Sequence, residues 1–375
     1  MQKIIDYTIG TFIFLSSVFY IPGQNFHDSQ KIFFQVAAML FFALYLSCKP
    51  IRNIRNVWIS AYLVYAIIIF MVIKETQAAS MVSLVNIFLM VALYYVFSNY
   101  LKDGSVIYKA ILGIIVINII FLIFQVLRID PLLLDDQRRQ NTHLVGLFGH
   151  PMNMGIFCSV SLPYVFSKNK WWAILVFIAL LASKSYISVV LGIGGLLLYL
   201  FFTNKFAFKI ATSIICVTAI LFTCYVSIFY TDRTKRTIIQ KITLRYDINY
   251  PLLRTSLSNP FHGYGLGTFK YITPKVIDPV TFDRIGWVDV TWNDYLGCSL
   301  EMGLGILFIF FGLFKQTIVR FTKSHKSNEI TALFCSLATV PIGIMFHSYM
   351  NYINVGVICI ALFALLDIKM KERKG

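Results

Sequence analysis

The chain has 375 residues, of which 58% are hydrophobic, 16% aromatic and only 13% charged, about half the charged share of an ordinary soluble domain. Its apolar residues come in runs of roughly 16 to 22, long enough to cross a bilayer, which excludes a single water-soluble core. The 33 Lys and Arg against 17 Asp and Glu give a formal net charge of +16, but in a chain of many spans such an excess fixes orientation toward the cytoplasm, so nucleic acid is not an expected partner.

In chain order, the first apolar run, Tyr7 to Ile21, has no small-residue cleavage pattern behind it and is expected to persist as a helix. Further spans are predicted near 31–48, 57–73, 80–98, 107–127, 144–167, 171–183, 186–202, 208–229, 296–314, 330–346 and 352–368. If these about twelve spans alternate, the basic links fall on one side: Lys49 to Arg55, Lys102 and Lys109, Lys168 and Lys170, Lys205 and Lys209, Lys315 to Lys326, and the tail Lys369 to Lys374. That side is the cytoplasm, with both termini in it. The division is then 1–229 for spans one to nine, 230–295 for one large periplasmic loop, and 296–375 for spans ten to twelve and a cytoplasmic tail. Lys184 interrupts 171–202, which reads either as one tilted helix or as two short ones; two keep the charge alternation and put Lys184 near the outer surface.

The seven cysteines lie almost wholly within apolar runs, without CxxC or Cys/His metal spacing, and read as free thiols. No DxD, P-loop or HExxH pattern occurs, so neither a metal nor a nucleotide cofactor is expected.

Two outer segments carry the polar residues. Arg128 to His143 holds three Arg and three Asp and leads into GLFGHPMNMG, whose glycines and Pro151 should break the start of a span. The stretch 230–295 is far longer than an ordinary connection, which marks it as functional. Within it Arg233, Thr237, Lys241 and Arg245 recur every four residues on one helical face. Such a basic helix either anchors to lipid head groups or grips substrate phosphates. Asn259 to Phe269, NPFHGYGLGTF, has three alternating glycines that permit close backbone approach to a ligand or a helix, or simply form a tight turn. Trp292, Asn293 and Asp294 then lead into LEMGLG as an acid-bearing entry to span ten, where Asn293 or Asp294 could equally be a helix cap. His347 stands at the same outer level near the end of span eleven.

Taken in order, GLFGHPMN after Arg138 and Arg139, Ser183-Lys184-Ser185, Arg245 before NPFHGYGLGTF, and WNDYL with LEMGLGI resemble the O-antigen ligase/O-antigen polymerase superfamily of bacterial envelope enzymes. The resemblance covers 145–310 in detail and is most specific in NPxxGxGxGTF followed by NDYLxxxxExGxxG. It implies an all-α polytopic protein of the bacterial inner membrane, GT-C-like, that moves a glycan from undecaprenyl diphosphate to an acceptor hydroxyl without cofactor or metal. Its implied diphosphate ligands are Arg138, Arg139, Lys184, Arg245 and Arg254; its implied glycan-facing loop residues are His150, Asn153, His262, Gly263, Gly265, Gly267 and Asn293. Arg245, Asp294 and His347 are the implied catalytic groups.

Two departures matter. The family usually has His-Asn where this chain has Trp292-Asn293, leaving Asp294, Asp289, His262 or His347 as candidate bases. It usually has Ser-Arg where this chain has Ser183-Lys184, which keeps the charge and loses the bidentate fork. The missing histidine suits a polymerase, joining two lipid-linked repeat units, better than a ligase acting on lipid A core. The expected partners are the undecaprenyl-diphosphate-linked oligosaccharide, the acceptor glycan or core, membrane lipids and a chain-length regulator. A flippase for the same lipid-linked sugars is the competing reading, although it would call for matching halves and a cavity within the bilayer.

Overall fold

The computed structural model describes residues 2–19, 26–48, 56–73, 77–127, 148, 151–216, 246–279, 293–324, 327–345 and 353–372. Among these residues every regular element is a helix and there is no strand. The helices are α1 Gln2–Val18, α2 Phe26–Cys48, α3 Val57–Val72, α4 Gln77–Tyr100, α5 Ser105–Val126, α6 Pro151–Lys168, α7 Lys170–Ala182 and α8 Tyr186–Thr203. They continue with α9 over 205–216 and α10 over 246–258. The last five are α11 Phe269–Val276, α12 Asp294–Met302, α13 Gly305–Lys323, α14 Asn328–Ile344 and α15 Ile353–Glu372.

Among the described residues four stretches are long and apolar enough to cross a membrane, namely Ser80–Tyr100, Ser105–Val126, Tyr186–Thr203 and Gly305–Lys323, and the apolar helices α3, α7 and α14 are shorter. Side-chain caps begin several of them. Asn56 accepts from the Trp58 amide at 3.1 Å, Asn169 from the Trp171 amide at 2.8 Å, and Ser327 from the Ile330 amide at 3.3 Å. Each such cap is worth about 1 kcal/mol, because it satisfies an amide that the first helical turn leaves open.

Lys184 stands in a turn between α7 and α8 at φ 51°, so the stretch 171–202 is two helices. The stretch 296–314 is not one helix: the chain turns at Gly303, which separates α12 from the membrane-length helix α13. Only 205–216 of the run ending at 229 is described, and it is helical.

Polar contacts sort the helix ends. Gln2 Nε2 donates to the Tyr100 carbonyl at 2.7 Å, the Lys102 amide donates to Asp6 at 2.9 Å, and the Tyr164 hydroxyl donates to the Gly104 carbonyl at 3.3 Å. Lys168 pairs with Glu329 at 2.8 Å and Arg320 with Asp367 at 3.2 Å. These bonds bring the lysine-bearing and arginine-bearing ends of α4, α6, α13 and α15 together at one end of the bundle. The opposite ends of α4 and α13, about 30 Å away at 1.5 Å per residue, meet the polar loop described below.

Asp367 is almost wholly buried and accepts from both Arg320 and the Tyr94 hydroxyl. Asp367→Ala would remove the acceptor that both donors use. Thermal unfolding in detergent is expected to show a loss of about 3 kcal/mol, at the low end for a broken buried pair because Arg320 keeps some contact with water. An unchanged midpoint would show that the pair holds nothing together.

Candidate functional site

The glycine-rich segment Asn259 to Phe269 is bound to the turn between α12 and α13 by main-chain hydrogen bonds. The Tyr264 amide donates to the Leu300 carbonyl at 2.8 Å, the Gly265 amide to the Glu301 carbonyl at 2.9 Å, and the Leu304 amide to the Pro260 carbonyl at 2.7 Å. Backbone lying directly on backbone leaves no room for side chains. A Cβ on Gly263 would come within 2.5 Å of the Leu300 carbonyl oxygen, and one on Gly303 within 2.7 Å of the Phe261 carbonyl carbon. Gly263, Gly265, Gly267 and Gly303 all have positive φ, which their lack of Cβ allows. The close approach made by Gly263 is therefore to the protein's own chain.

Hydroxyls from the bundle hold the docked segment from beneath. The Tyr65 hydroxyl of α3 lies 2.8 Å from the Met302 carbonyl and 3.0 Å from that of Phe261, and Ser80 of α4 donates to the Leu266 carbonyl at 2.8 Å. Leu266 packs with Ala66, Ile69, Met302, Ile306 and Phe310. On the other side Leu300 joins Ile248 and Leu252 of α10 and Phe269 and Ile277 in a small apolar core. The loop is thus wedged between α3, α4 and α13 on one side and α10 and α11 on the other.

Glu301 is at the centre of this arrangement. Its Oε1 accepts the Phe269 amide, the first of α11, at 3.2 Å, and its carboxylate also accepts the Gly267 amide. Burial pushes the carboxyl up to about 7; the two amides pull it down and the charge of Asp294 adds to the rise. The residue keeps some surface while its carboxyl is enclosed. Asn293 caps α12 by accepting from the Leu296 amide at 3.2 Å, so it does serve the local fold. Asp294, Cys298 and Glu301 follow at steps of four and three and share one helical face, within electrostatic reach of Tyr62 on α3. Asp294 is buried, and the thiol of Cys298 is pushed well above its ordinary value, first by burial and then by these two acids. A carboxyl that is half-ionised near neutrality, with a second acid two helical turns away on the same face, is suited to exchanging a proton with a bound hydroxyl.

The structure gathers Gly263, Gly265, Gly267 and His262 around this turn, whereas Asn293 and Asp294 stand at the other end of α12, with Asp294 in electrostatic reach of Glu301. His262 is exposed, and its Nδ1 lies 2.8 Å from the Gly263 carbonyl, to which it donates. Arg254 is exposed on α10, the helix that leads into the loop. Asn153 and Lys184 belong to a second place. Asn153 is buried near the start of α6, with Nδ2 3.4 Å from the Phe148 carbonyl and no partner for its Oδ1 among the described residues. Two residues on, Gly155 faces Ser183 and Ser188 closely, so the start of α6 and the Ser183-Lys184-Ser185 turn are neighbours, while Lys184 itself is exposed. Arg138, Arg139, His150, Arg245, Asp289, Trp292 and His347 lie outside the described residues, as does the basic helix expected over 233–245.

Glu301 is the residue that sequence reasoning passed over as a candidate for chemistry, although it was visible as the acid of ExGxxG, seven positions after Asp294. Among the described residues no group of three or more His, Cys, Asp and Glu is placed to hold a metal ion. No protein-family model matches the chain, and no curated protein does either.

Proposed function

We propose that this chain is a GT-C-like membrane glycosyltransferase of about twelve spans, with both termini in the cytoplasm of a bacterium. It polymerises a surface polysaccharide by moving glycan from undecaprenyl diphosphate onto an acceptor sugar of a second lipid-linked repeat unit. One observation carries the reading. The two motif stretches in which the resemblance is most specific are not separate features of the chain but one unit, joined main chain to main chain around Glu301, at the end of the bundle away from the basic residues.

In this reaction the acceptor hydroxyl oxygen forms a bond to C1 of the donor sugar as the C1–O bond to the diphosphate breaks. The hydroxyl proton passes to a base, and the lipid diphosphate leaves with the bonding electrons. Glu301 is the base this geometry favours, with Asp294 tuning it through its charge, a role typically worth 10²–10⁴-fold. Arg254, together with Arg245, Arg138, Arg139 and Lys184, meets the charge that grows on the diphosphate as it departs.

Trp292, in the place of the usual histidine, favours polymerase over ligase. Deleting the gene should leave single repeat units on lipid A core, seen as a collapse of the ladder on a lipopolysaccharide gel. Core with no repeat at all, and polymer accumulating on the lipid carrier, would identify a ligase instead. Normal polymer with repeat units trapped on the cytoplasmic face would identify a flippase.

A further inference from the structure

Helix α10 buries one side and leaves the other apolar. Ile248, Leu252 and Ser256 face inward, the first two onto Phe269, Ile277 and Leu300. At 3.6 residues per turn, Tyr246, Tyr250, Leu253 and Leu257 fall within an arc of about 60° on the opposite side. All four are exposed, Tyr246 at 64% and Leu257 at 55%, and the rings of Tyr246 and Tyr250 stack at 5.5 Å. Three residues beyond the helix, in the turn, Phe261 is 85% exposed. A soluble loop would not display so long an apolar stripe without a partner.

The neighbouring helices indicate what covers it. Phe261 stands where its carbonyl meets Tyr65 of α3, and Pro260 before it binds the first turn of α13. The outward sides of those two helices are themselves apolar and exposed, through Ile68 and Met71 on α3 and Phe308 and Phe311 on α13. For helices of this composition such surfaces face lipid. The α10 stripe and Phe261 therefore continue a lipid-facing surface at the level where it ends, the depth at which tyrosines collect in membrane proteins. Arg254 is exposed at the edge of the stripe, where a charged head stays at the polar level while the apolar side chains lie deeper.

We infer that the Tyr246, Tyr250, Leu253 and Leu257 face of α10, with Phe261, is seated in the head-group and upper acyl layer of the leaflet at this end of the bundle. The occupant of the face is bilayer phospholipid. This inference does not depend on the glycosyltransferase reading. Its consequence is that the glycine loop and Glu301 are held at head-group depth rather than out in the aqueous phase.

The test uses the full chain in proteoliposomes of phosphatidylcholine and phosphatidylglycerol, with a photo-crosslinking phenylalanine analogue incorporated singly at Tyr250, Leu257, Phe261, Phe308 and Lys275. After illumination, mass spectrometry should find phospholipid adducts at the first three sites, as at Phe308, and none at Lys275 on α11. The Tyr250 site replaces one exposed ring with another and guards against a label that disturbs folding. Leu253→Glu with Leu257→Glu should diminish the adduct formed at Tyr250 and leave that at Phe308 unchanged. Adducts at Phe308 alone would overturn the inference. So would covalent dimers from Leu257 in place of lipid adducts, which would assign the face to a second copy of this chain.

Discussion

Gly303→Ala is expected to undock the glycine loop and, under the proposed function, to abolish polymer synthesis while the protein still inserts into the membrane. Gly303 sits at φ 80° and ψ 173°, a region essentially reserved for glycine, where another residue costs about 1–3 kcal/mol. An added Cβ would also lie 2.7 Å from the Phe261 carbonyl carbon and 2.8 Å from the His262 nitrogen. Both are backbone atoms that cannot swing aside, and such overpacking typically costs a further 1–3 kcal/mol or so. Helices α12 and α13 have their own packing, so the strain is relieved most cheaply by releasing 259–269. Limited proteolysis should then cut within that segment, and lipid-linked oligosaccharide should not be extended. Gly194→Ala is the matched control: its Cβ would meet nothing within 4 Å, and a mid-helix glycine replaced by alanine gains up to about 1 kcal/mol. If Gly303→Ala resists protease and makes full-length product, docking of the loop does not matter for the reaction.

Glu301→Gln separates the two roles of this carboxyl. The amide oxygen of glutamine can still accept from Gly267 and Phe269, so the loop should stay docked, but the side chain can no longer take a proton. Turnover should fall about a hundredfold or more. Stability should move the other way. Burial, the largest influence, raises Glu301 from 4.5 to about 7, so across that window the folded chain holds a proton that the unfolded chain releases. The stabilisation from this group is complete below the lower value and is lost as pH rises through the upper one, a change of about 3 kcal/mol. The glutamine variant, always neutral, should lack this slope and be more stable than the native protein at pH 8. Thermal unfolding from pH 5 to 8 measures the slope, and single-turnover assays measure the rate. Undiminished turnover in Glu301→Gln would remove Glu301 as the base and leave it a structural acceptor.

The helices were legible because uninterrupted apolar runs leave the backbone few ways to satisfy its own polar groups in lipid. The break at Lys184 was visible too, since a lysine in the middle of 171–202 has no comfortable depth in a single span. Gly303 was not. In LEMGLGILF the residues around it are apolar enough to pass for the interior of a helix, and the turn there is set by the Pro260 carbonyl, which accepts the Leu304 amide, and by the Phe261 backbone packed on Gly303, both distant in sequence. The docking of NPFHGYGLGTF left a similarly faint trace, because main-chain hydrogen bonds impose no side-chain periodicity beyond a demand for glycine. Asn293 read correctly as a possible cap. Glu301, by contrast, looked like a polar residue at a helix entrance, and only the amides of Gly267 and Phe269 arriving from another segment give its carboxyl a distinct chemistry.

The long reach of those loop contacts bears on when the site comes into being. Tyr65 is 237 residues ahead of its partner Met302, and Ser80 is 186 residues ahead of Leu266. At ribosomal speeds of about 5–20 residues per second, roughly 10–50 s separate the synthesis of α3 and α4 from that of the segments they clasp. Throughout that interval the nascent chain carries an incomplete receptor for its own loop. The docking around Glu301 is complete only after α13 has begun to emerge, so a chain truncated before Leu300 would contain the glycine motif entire and lack the carbonyls of Leu300 and Glu301 to which it docks.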